Sequence, residues 1–272
     1  MADIQGWTLS DKGTAMDVKT IQGAKLEIER RGKGSPLLLL LSEEEQLDLA
    51  SPFVAGLAET YELLIPHYPG FGRSERPEWV SSPDDISYML LDLLDAEGLQ
   101  NIPVVGLSLG GWIALEMAVK ARGIFSKVVL VDAIGVKHGG VFDRDIQDIW
   151  TSHPAKVEAW KWHDAAKSKR DFGAMAEEDV SIHARNIESF ARFCWDPYMH
   201  NPKLKRRLHR VTAPVQVIWG ENDGVVTPAY GKAFAEAFAN GRFETVAAAG
   251  HYPQIEQPAE TLARTLAFLA QK

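Results

Sequence analysis

Short apolar segments alternate with stretches of helical periodicity along most of this chain, and that alternation restricts its fold more than any other feature. The segments predicted as strands are residues 24–30, 36–41, 62–65, 102–105, 127–131, 215–219 and 242–246. Helices are predicted at residues 47–60, 83–99, 111–122, 229–239 and 259–271. Several strands are continuously apolar, as is typical of parallel strands covered on both faces. The sequence therefore predicts an α/β fold with a doubly wound, mostly parallel sheet.

The alternation stops between residues 135 and 208, where no strand is predicted and the sequence is helix-prone. This stretch holds four of the eight tryptophans, Trp150, Trp160, Trp162 and Trp195. We interpret it as an inserted helical cap, at residues 135–208, on a core domain formed by residues 1–134 and 209–272. Large aromatic side chains beside a cleft commonly line an apolar pocket, although some must only pack the insert onto the core.

Ser108 is the strongest candidate for a reactive residue. It is the central residue of the pentapeptide Gly106-Leu107-Ser108-Leu109-Gly110, between a predicted strand and a predicted helix. A tight strand-to-helix turn needs small residues two positions either side of the serine, because larger side chains would collide. The pattern predicts a nucleophile elbow that presents the Ser108 hydroxyl at the edge of the sheet.

A serine hydroxyl needs a base to take its proton and a carboxylate to orient that base. Asp223 and His251 follow in this order, each just beyond a predicted strand. Asp132, after the strand at 127–131, is the competing carboxylate. We prefer Asp223 because an Asn-Asp-Gly turn is expected to expose its side chain at the tip of a loop.

Several loops together make the chain resemble the α/β-hydrolase superfamily over nearly its whole length. They read PHYPGFGRS at 66–74, GLSLGG at 106–111, WGEND at 219–223, and GH at 250–251 with EQP at 256–258. The resemblance implies that Ser108 is the nucleophile, Asp223 the orienting acid and His251 the base. It also implies an oxyanion hole made by the backbone N–H of Leu109 and an N–H from the loop after the strand at 36–41.

That second loop departs from the family, which usually carries a His-Gly pair there. This chain has Ser42 in the place of the histidine and Glu43 in the place of the glycine, followed by Glu44 and Glu45. We expect the glutamate side chains to face water while the backbone N–H of Glu43 or Glu44 still donates. The alternative hypothesis is that the loop changes the activity, giving a slow hydrolase, a cationic or neutral substrate, or a pocket used mainly for binding.

The substrate pocket is predicted between this loop, the elbow and the cap. Its candidate lining residues are Ser42, Trp112, Trp150, Trp160, Trp162 and Tyr252.

The overall composition narrows the class of partner. A net charge of −8 argues against nucleic-acid binding, and no apolar stretch has the length of a membrane span. The single cysteine, Cys194, cannot form an internal disulfide and is expected to pack among aromatic residues. We expect a cytoplasmic protein that acts on a small molecule without a cofactor or metal, and the sequence leaves self-association open.

The leading functional hypothesis is a serine hydrolase that cleaves a small, largely apolar carboxylic ester or lactone through an acyl-enzyme. There are two alternatives on the same fold. One is hydrolysis of carbon–carbon bonds in dicarbonyl ring-cleavage products, and the other is a ligand-binding or sensor protein with weak or no turnover. A third is a cofactor-free lyase or oxygenase in which His251 acts as base without a covalent serine adduct. Fold alone does not decide among them.

Overall fold

A computed structural model describes residues 8–10, 14–44, 51–140, 142–168 and 171–271, and these form one large sheet flanked by helices. The strands of the described part are β1 (Thr8–Ser10), β2 (Thr14–Ile21), β3 (Ala24–Arg31), β4 (Ser35–Leu40), β5 (Tyr61–Pro66), β6 (Ile102–Leu107), β7 (Phe125–Val131), β8 (Val215–Gly220) and β9 (Gly241–Val246). The helices are α1 (Pro52–Ala58), α2 (Pro83–Ala96), α3 (Leu109–Lys120), α4 (Pro154–Lys161), α5 (Glu177–Cys194), α6 (Pro228–Glu236), α7 (Pro253–Glu256) and α8 (Pro258–Leu269).

The sheet confirms the predicted doubly wound, mostly parallel architecture. Within the described residues its strand order is β1-β2-β3-β5-β4-β6-β7-β8-β9. Strands β4 to β9 pair in parallel, while β1, β2 and β3 pair antiparallel and attach through β3 to β5. The carboxyl ends of the parallel strands therefore meet at one edge, where ligands bind in sheets of this type.

The seven predicted strands correspond to β3 to β9, but β1 and β2 were missed. Polar and apolar residues mix in β2, so it lacks the continuous apolar pattern used to find the others. The turn from β2 to β3 carries a usable signal. Gln22 and Gly23 both have positive φ, 49° and 83°, as in a two-residue hairpin turn. A glycine between two candidate strands indicates such a turn in the sequence.

Strand β4 shows why the sheet is covered on both faces. Its side chains alternate between two cores: Leu38 and Leu40 belong to the core on the side of α2 and α3, whereas Leu37 and Leu39 belong to the core on the side of α1 and α8. All four leucines are fully buried. An uninterrupted leucine run is therefore what a central strand between two helical layers requires.

The predicted helices outside residues 135–208 are present with shifted ends. Helix α2 begins where the Ser82 side chain accepts the Asp85 N–H, and α1 begins where Ser51 accepts the Val54 N–H. The first residues of the helix predicted at 47–60 lie outside the described residues. No helix in the described ranges is both long and apolar enough to cross a membrane.

Residues 135–208, the cap segment, connect β7 to β8. Its described residues contain α4, α5 and the short 3₁₀ turns Ala165–Ser168 and Lys205–Arg210, and no strand. Backbone hydrogen bonds tie it to the core: the Gly224 N–H donates to Trp160 (2.9 Å) and the His251 N–H to Lys161 (2.7 Å). The cap segment thus contacts loops at the carboxyl edge of the sheet. Its division from the core as a separate domain stays a prediction.

Tyr230 fixes the start of the cap segment to α6, and its hydroxyl gives a test of this attachment. The hydroxyl accepts the Val136 N–H (3.1 Å) and donates to the Val136 carbonyl (2.6 Å) in a buried position. Tyr230→Phe leaves both backbone groups unpaired, so we expect the free energy of unfolding to fall by about 1–3 kcal/mol in urea denaturation. Tyr88→Phe, which alters a half-exposed ring, is the control and should change it by less than about 0.5 kcal/mol. Equal small effects would show that this attachment contributes little.

Candidate active site

Ser108 occupies the sharp turn that its sequence predicts. It joins β6 to α3 with φ 46° and ψ −111°, a conformation that non-glycine residues rarely adopt. The turn is possible because α3 lies very close to β4: a Cβ atom on Gly110 would stand 2.1 Å from the Leu40 carbonyl oxygen. The Ser108 N–H donates to the Val131 carbonyl (2.9 Å), which anchors the turn to the neighbouring strand.

The structure brings together the three residues predicted to form the catalytic triad. His251 Nε2 lies 2.9 Å from Ser108 Oγ, and His251 Nδ1 lies 2.7 Å from Asp223 Oδ2. The three side chains follow β6, β8 and β9, so they meet at the carboxyl edge of the sheet. All three are nearly inaccessible, with exposures of 2–3%. This geometry permits proton transfer from Ser108 to His251.

Asp223 is held by more than its contact with His251. Its Oδ1 accepts the N–H groups of Val225 (2.8 Å) and Val226 (3.1 Å), which leaves Oδ2 for the imidazole. The choice of Asp223 over Asp132 agrees with these contacts, but the reason given for it was wrong. The Asn-Asp-Gly turn does not expose the Asp223 side chain, which is buried against His251 of the loop after β9 (the histidine loop).

Asp132 lies behind Asp223 and is completely buried. Its carboxyl oxygens accept the Gly220 N–H (3.0 and 3.2 Å). Burial, followed by the charge of Asp223, raises the pKa of Asp132 well above its usual range. Burial and the neighbouring Asp223 carboxylate therefore both favour the neutral form of Asp132.

Asp132, Asp223 and His251 also place ligand-type atoms within 4.8 Å of one another. Both nitrogens of His251 face partners, Asp223 on one side and Ser108 on the other. Within the described residues the cluster therefore offers a metal no uncommitted imidazole nitrogen.

Glu43 contradicts the expectation that its side chain faces water. Its carboxylate points into the site: Oε1 accepts the Tyr252 hydroxyl (2.8 Å) and lies 3.5 Å from Ser108 Oγ. Oε2 is buried and has no hydrogen-bond partner among the described residues. The close approach of α3 to β4 explains this placement, because residue 43 follows the strand end that contacts the elbow.

Glu44 is also turned away from bulk water. Its Oε1 lies 2.9 Å from Lys161 Nζ of α4, and both side chains are largely buried. Burial alone would lower the pKa of Lys161, but the charges of Glu44 and Glu43 hold it above its usual value. Glu45 lies outside the described residues, and Leu109, the other expected oxyanion donor, is the first residue of α3.

A cavity of about 490 Å³ lies between the cap segment and the loop after β4. Its walls include Trp150, Trp162 and Phe190, together with the carboxylates of Glu43 and Glu44. Among the described residues, neither Ser108 nor His251 lines this cavity. Glu43 therefore stands between the cavity and the Ser108 hydroxyl.

Two of the six predicted pocket residues, Trp150 and Trp162, line this cavity, and the other four do not. Tyr252 is buried behind Glu43, its ring 4.9 Å from that of Trp162. Ser42 is completely buried. The Trp160 ring packs against Gly224, and the Trp160 carbonyl accepts the Gly224 N–H. Trp160 therefore packs the cap segment onto the loop after β8 that carries Asp223 (the acid loop).

Trp112 does not line the cavity, because its side chain contacts Glu116 and Gly135 instead. Its Nε1 donates to Glu116 (3.1 Å) one turn further along α3, and its ring packs against Gly135. Cys194 is fully buried, as expected, and burial raises the pKa of its thiol well above the usual value. A thiol in this state is a poor nucleophile.

The sequence did not identify Lys161 or the inward direction of the Glu43 side chain. Lys161 belongs to no sequence motif, and its position depends on how α4 packs onto the core. For Glu43 the only signal was its place in the loop after β4, which gave the location of its backbone but not the direction of its side chain.

The electrostatics of the site favour a protonated His251. Burial alone would lower the pKa of His251, but the Asp223 carboxylate outweighs this effect and Glu43 adds to it. The pKa therefore lies above the ordinary value of 6.5. Lys161 opposes the shift more weakly.

Comparison with known proteins agrees with the fold. Residues 45–265 match the model of the alpha/beta hydrolase family, and the chain belongs to that family. It is 26% identical to Lipase 3 of Moraxella sp. (strain TA144), covering 84% of this chain and 75% of the lipase. It is 25% identical to a 2-hydroxymuconate semialdehyde hydrolase of Pseudomonas putida, covering 92% of each.

Solved structures share the architecture. A meta-cleavage product hydrolase from Pseudomonas fluorescens IP01 superposes with a TM-score of 0.73 at 19% identity, over 93% of this chain and 97% of that one. At this level of identity the likeness shows the fold alone.

The two carboxylates of the site can be distinguished by amide substitution. Asp223→Asn places a donor against Nδ1 and stabilises the wrong imidazole tautomer, so we expect kcat to fall by about 10⁴-fold. Asp132→Asn can still accept the Gly220 N–H and donate to Asp223, so its kcat should stay within about tenfold of the unchanged protein. Ester turnover by both variants measures this. A larger loss for Asp132→Asn would make Asp132 the orienting acid.

The raised pKa of His251 predicts the pH dependence of turnover. Only neutral imidazole can act as the base, so kcat/KM should rise with pH through an apparent pKa above 6.5. The charged groups acting on His251 are Asp223, Glu43 and Lys161, and Asp132 lies behind Asp223. Because Glu43 raises this pKa, Glu43→Gln should move the rise to lower pH. A kcat/KM profile for a neutral ester between pH 5 and 9 checks both, and an inflection below 6.5 would contradict the assignment.

Proposed function

We propose that this protein is a serine hydrolase that cleaves a small, largely apolar carboxylic ester or lactone through an acyl-enzyme. The observation that carries the proposal is the contact of Ser108 Oγ with His251 Nε2, 2.9 Å, on a strained elbow. A buried serine held in a sparsely populated conformation beside an imidazole is costly, and such strain concentrates at functional sites. Membership of the alpha/beta hydrolase family supports hydrolysis as the type of reaction.

In the proposed mechanism Ser108 Oγ attacks the acyl carbon as its proton passes to His251. The imidazolium then gives that proton to the departing alkoxide, which leaves as an alcohol or, from a lactone, as the hydroxyl end of the opened ring. Water attacks the acyl-enzyme with His251 as base, and the acid is released with Ser108 restored. Asp223 keeps the proton on Nδ1 and stabilises the imidazolium.

The oxyanion needs donors near Ser108, and we assign the Leu109 N–H and a backbone N–H of Glu43 or Glu44 to this role. One such donor contributes about 2.7–4 kcal/mol to the barrier. A carboxylate about 4 Å from a developing unit charge opposes it by about 4 kcal/mol at an effective dielectric constant of 20. An uncompensated Glu43 would thus cancel a donor, and the substrate must be one for which this cost is offset.

The cavity supports a small and mostly apolar acyl group. Its aromatic walls, Trp150, Trp162 and Phe190, suit an alkyl or aryl chain, and its volume of about 490 Å³ is within the range of small-ligand sites. The lipase relative is consistent with ester cleavage. The pocket residues set the size limit, and Glu43 sets the polarity at the end closest to Ser108.

Carbon–carbon bond hydrolysis is the second candidate, favoured by the length of the similarity to the 2-hydroxymuconate semialdehyde hydrolase. The same three residues serve both reactions, so the site geometry does not separate them. Turnover of a dicarbonyl ring-cleavage product faster than any ester would favour this candidate.

Covalent labelling tests the ester hydrolase proposal directly. We expect a fluorophosphonate probe to modify Ser108, and Ser108→Ala to abolish labelling and lower the kcat for p-nitrophenyl butyrate by at least about 10⁴-fold. Ser181→Ala is the matched control: Ser181 is exposed on α5 and its hydroxyl donates to the Glu177 carbonyl. Labelling and turnover of this variant should equal those of the unchanged protein.

Two results would overturn the proposal. A protein that neither reacts with the probe nor turns over the ester would be a ligand-binding protein on this fold. Activity that survives Ser108→Ala would indicate chemistry in which His251 acts as base without an acyl-enzyme.

A further inference from the structure

Of the charged residues that line the cavity, Glu43 is the one with a described contact to Ser108. Its carboxylate lines the cavity, whereas Ser108 and His251 are hidden behind it among the described residues. Oε1 lies 3.5 Å from Ser108 Oγ, so a substrate that reaches the hydroxyl must pass within contact distance of this carboxylate. Glu43 is therefore placed to discriminate between substrates.

The Glu43 carboxylate has unused capacity to accept hydrogen bonds. A carboxylate accepts about four, but the described contacts involve Oε1 alone, through Tyr252 at 2.8 Å and Ser108 at 3.5 Å. Oε2 is shielded from solvent and without a described hydrogen-bond partner. Rotation of the carboxylate would bring a free acceptor to the cavity side.

Glu43 contributes to the raised pKa of Lys161, but the two side chains form no ion pair. Lys161 Nζ forms its ion pair with Glu44, at 2.9 Å, and no ion pair to Glu43 occurs within the described part of the chain. The surroundings add negative charge, since Asp223 lies on the other side of His251. A partly buried carboxylate whose neighbouring cation is paired elsewhere keeps a desolvation cost, and a cation carried by the substrate would offset that cost.

The aromatic rings next to Glu43 suit the same kind of ligand. Tyr252 and Trp162 pack together at 4.9 Å beside it, and the Lys161 ammonium already lies 5.9 Å from the centre of the Tyr252 ring. Aromatic faces attract cations while accommodating alkyl groups. Of the two rings, Trp162 lines the cavity and can contact the apolar chain of a ligand whose ammonium group meets Glu43.

We infer that Glu43 determines substrate specificity, selecting acyl compounds that carry a protonated amine close to the carbonyl carbon. The inference rests on the proposed serine hydrolase and narrows its substrate class to amino esters or amino lactones. The ammonium donates to the Glu43 carboxylate, which satisfies the buried charge and offsets its repulsion of the oxyanion.

The distances indicate how far the amine lies from the acyl carbon. A carbon in position for attack is about 3–3.5 Å from Ser108 Oγ, and an ammonium nitrogen lies about 2.8 Å from a carboxylate oxygen. Oγ and Oε1 are 3.5 Å apart. A substrate whose nitrogen lies about 4 Å from its acyl carbon can therefore place the carbon next to Oγ and the nitrogen next to Oε1 at these distances. A β-amino group, three bonds from the carbonyl carbon, spans about 3.8 Å.

Two phenyl esters that differ in one group provide the test. Phenyl 3-aminopropanoate carries an ammonium where phenyl butanoate carries a methyl group, and each kcat/KM is divided by the rate of hydroxide hydrolysis to remove intrinsic reactivity. We expect the unchanged protein to prefer the amino ester by at least about tenfold, equivalent to 1.4 kcal/mol. Glu43→Gln should bring the ratio close to one, because an amide can still accept from Tyr252 but does not attract an ammonium.

Glu178→Gln is the control variant, since it removes one negative charge from an exposed carboxylate that pairs with Arg73. The ester preference of this variant should equal that of the unchanged protein. If Glu43→Gln leaves the preference unchanged, or if the unchanged protein has none, the inference is wrong while the hydrolase proposal stands. If neither ester is hydrolysed and Ser108 is not labelled by a fluorophosphonate, both are wrong.

Discussion

The close approach of α3 to the end of β4 is the contact on which the rest of the site depends. Gly110 lies so near Leu40 that a single added carbon would stand 2.1 Å from a carbonyl oxygen. This approach permits the strained turn at Ser108, and it also brings the residues that follow β4 against the Ser108 hydroxyl. The pairing of Leu40 with Gly106 fixes the two strand ends at the same level. Whatever side chain stands at position 43 therefore becomes part of the site.

The cap segment completes the site from the opposite side through backbone contacts. The carbonyls of Trp160 and Lys161 accept N–H groups from Gly224 and His251, so the end of α4 is joined to both the acid loop and the histidine loop. The same contacts place the Lys161 ammonium beside Glu44. Displacement of α4 would therefore change the position of His251 and the charge balance of the loop after β4 together.

Local patterns in the sequence predicted β3 to β9 and the meeting of Ser108, Asp223 and His251, because Ser108 directly follows β6 and the other two lie in the loops after β8 and β9. The contacts of Glu43 could not be predicted in this way, since its partner Tyr252 is 209 positions away in the chain. The positions of the tryptophan side chains depend on how the cap segment packs onto the core. Trp150 and Trp162 line the cavity while Trp160 packs against Gly224, although all three are tryptophans in the same helix-rich stretch.

A carboxylate beside a serine nucleophile affects binding and chemistry differently, and this difference identifies its role. With a neutral ester, the Glu43 charge does not change the binding of the substrate. It opposes the negative charge of the oxyanion, however, so it lowers kcat. With an ammonium ester, the ion pair forms on binding and lowers KM, and the neutralised charge no longer opposes the oxyanion, so kcat is restored. Glu43 then acts on substrate choice in both steps, which a residue needed only for packing would not do.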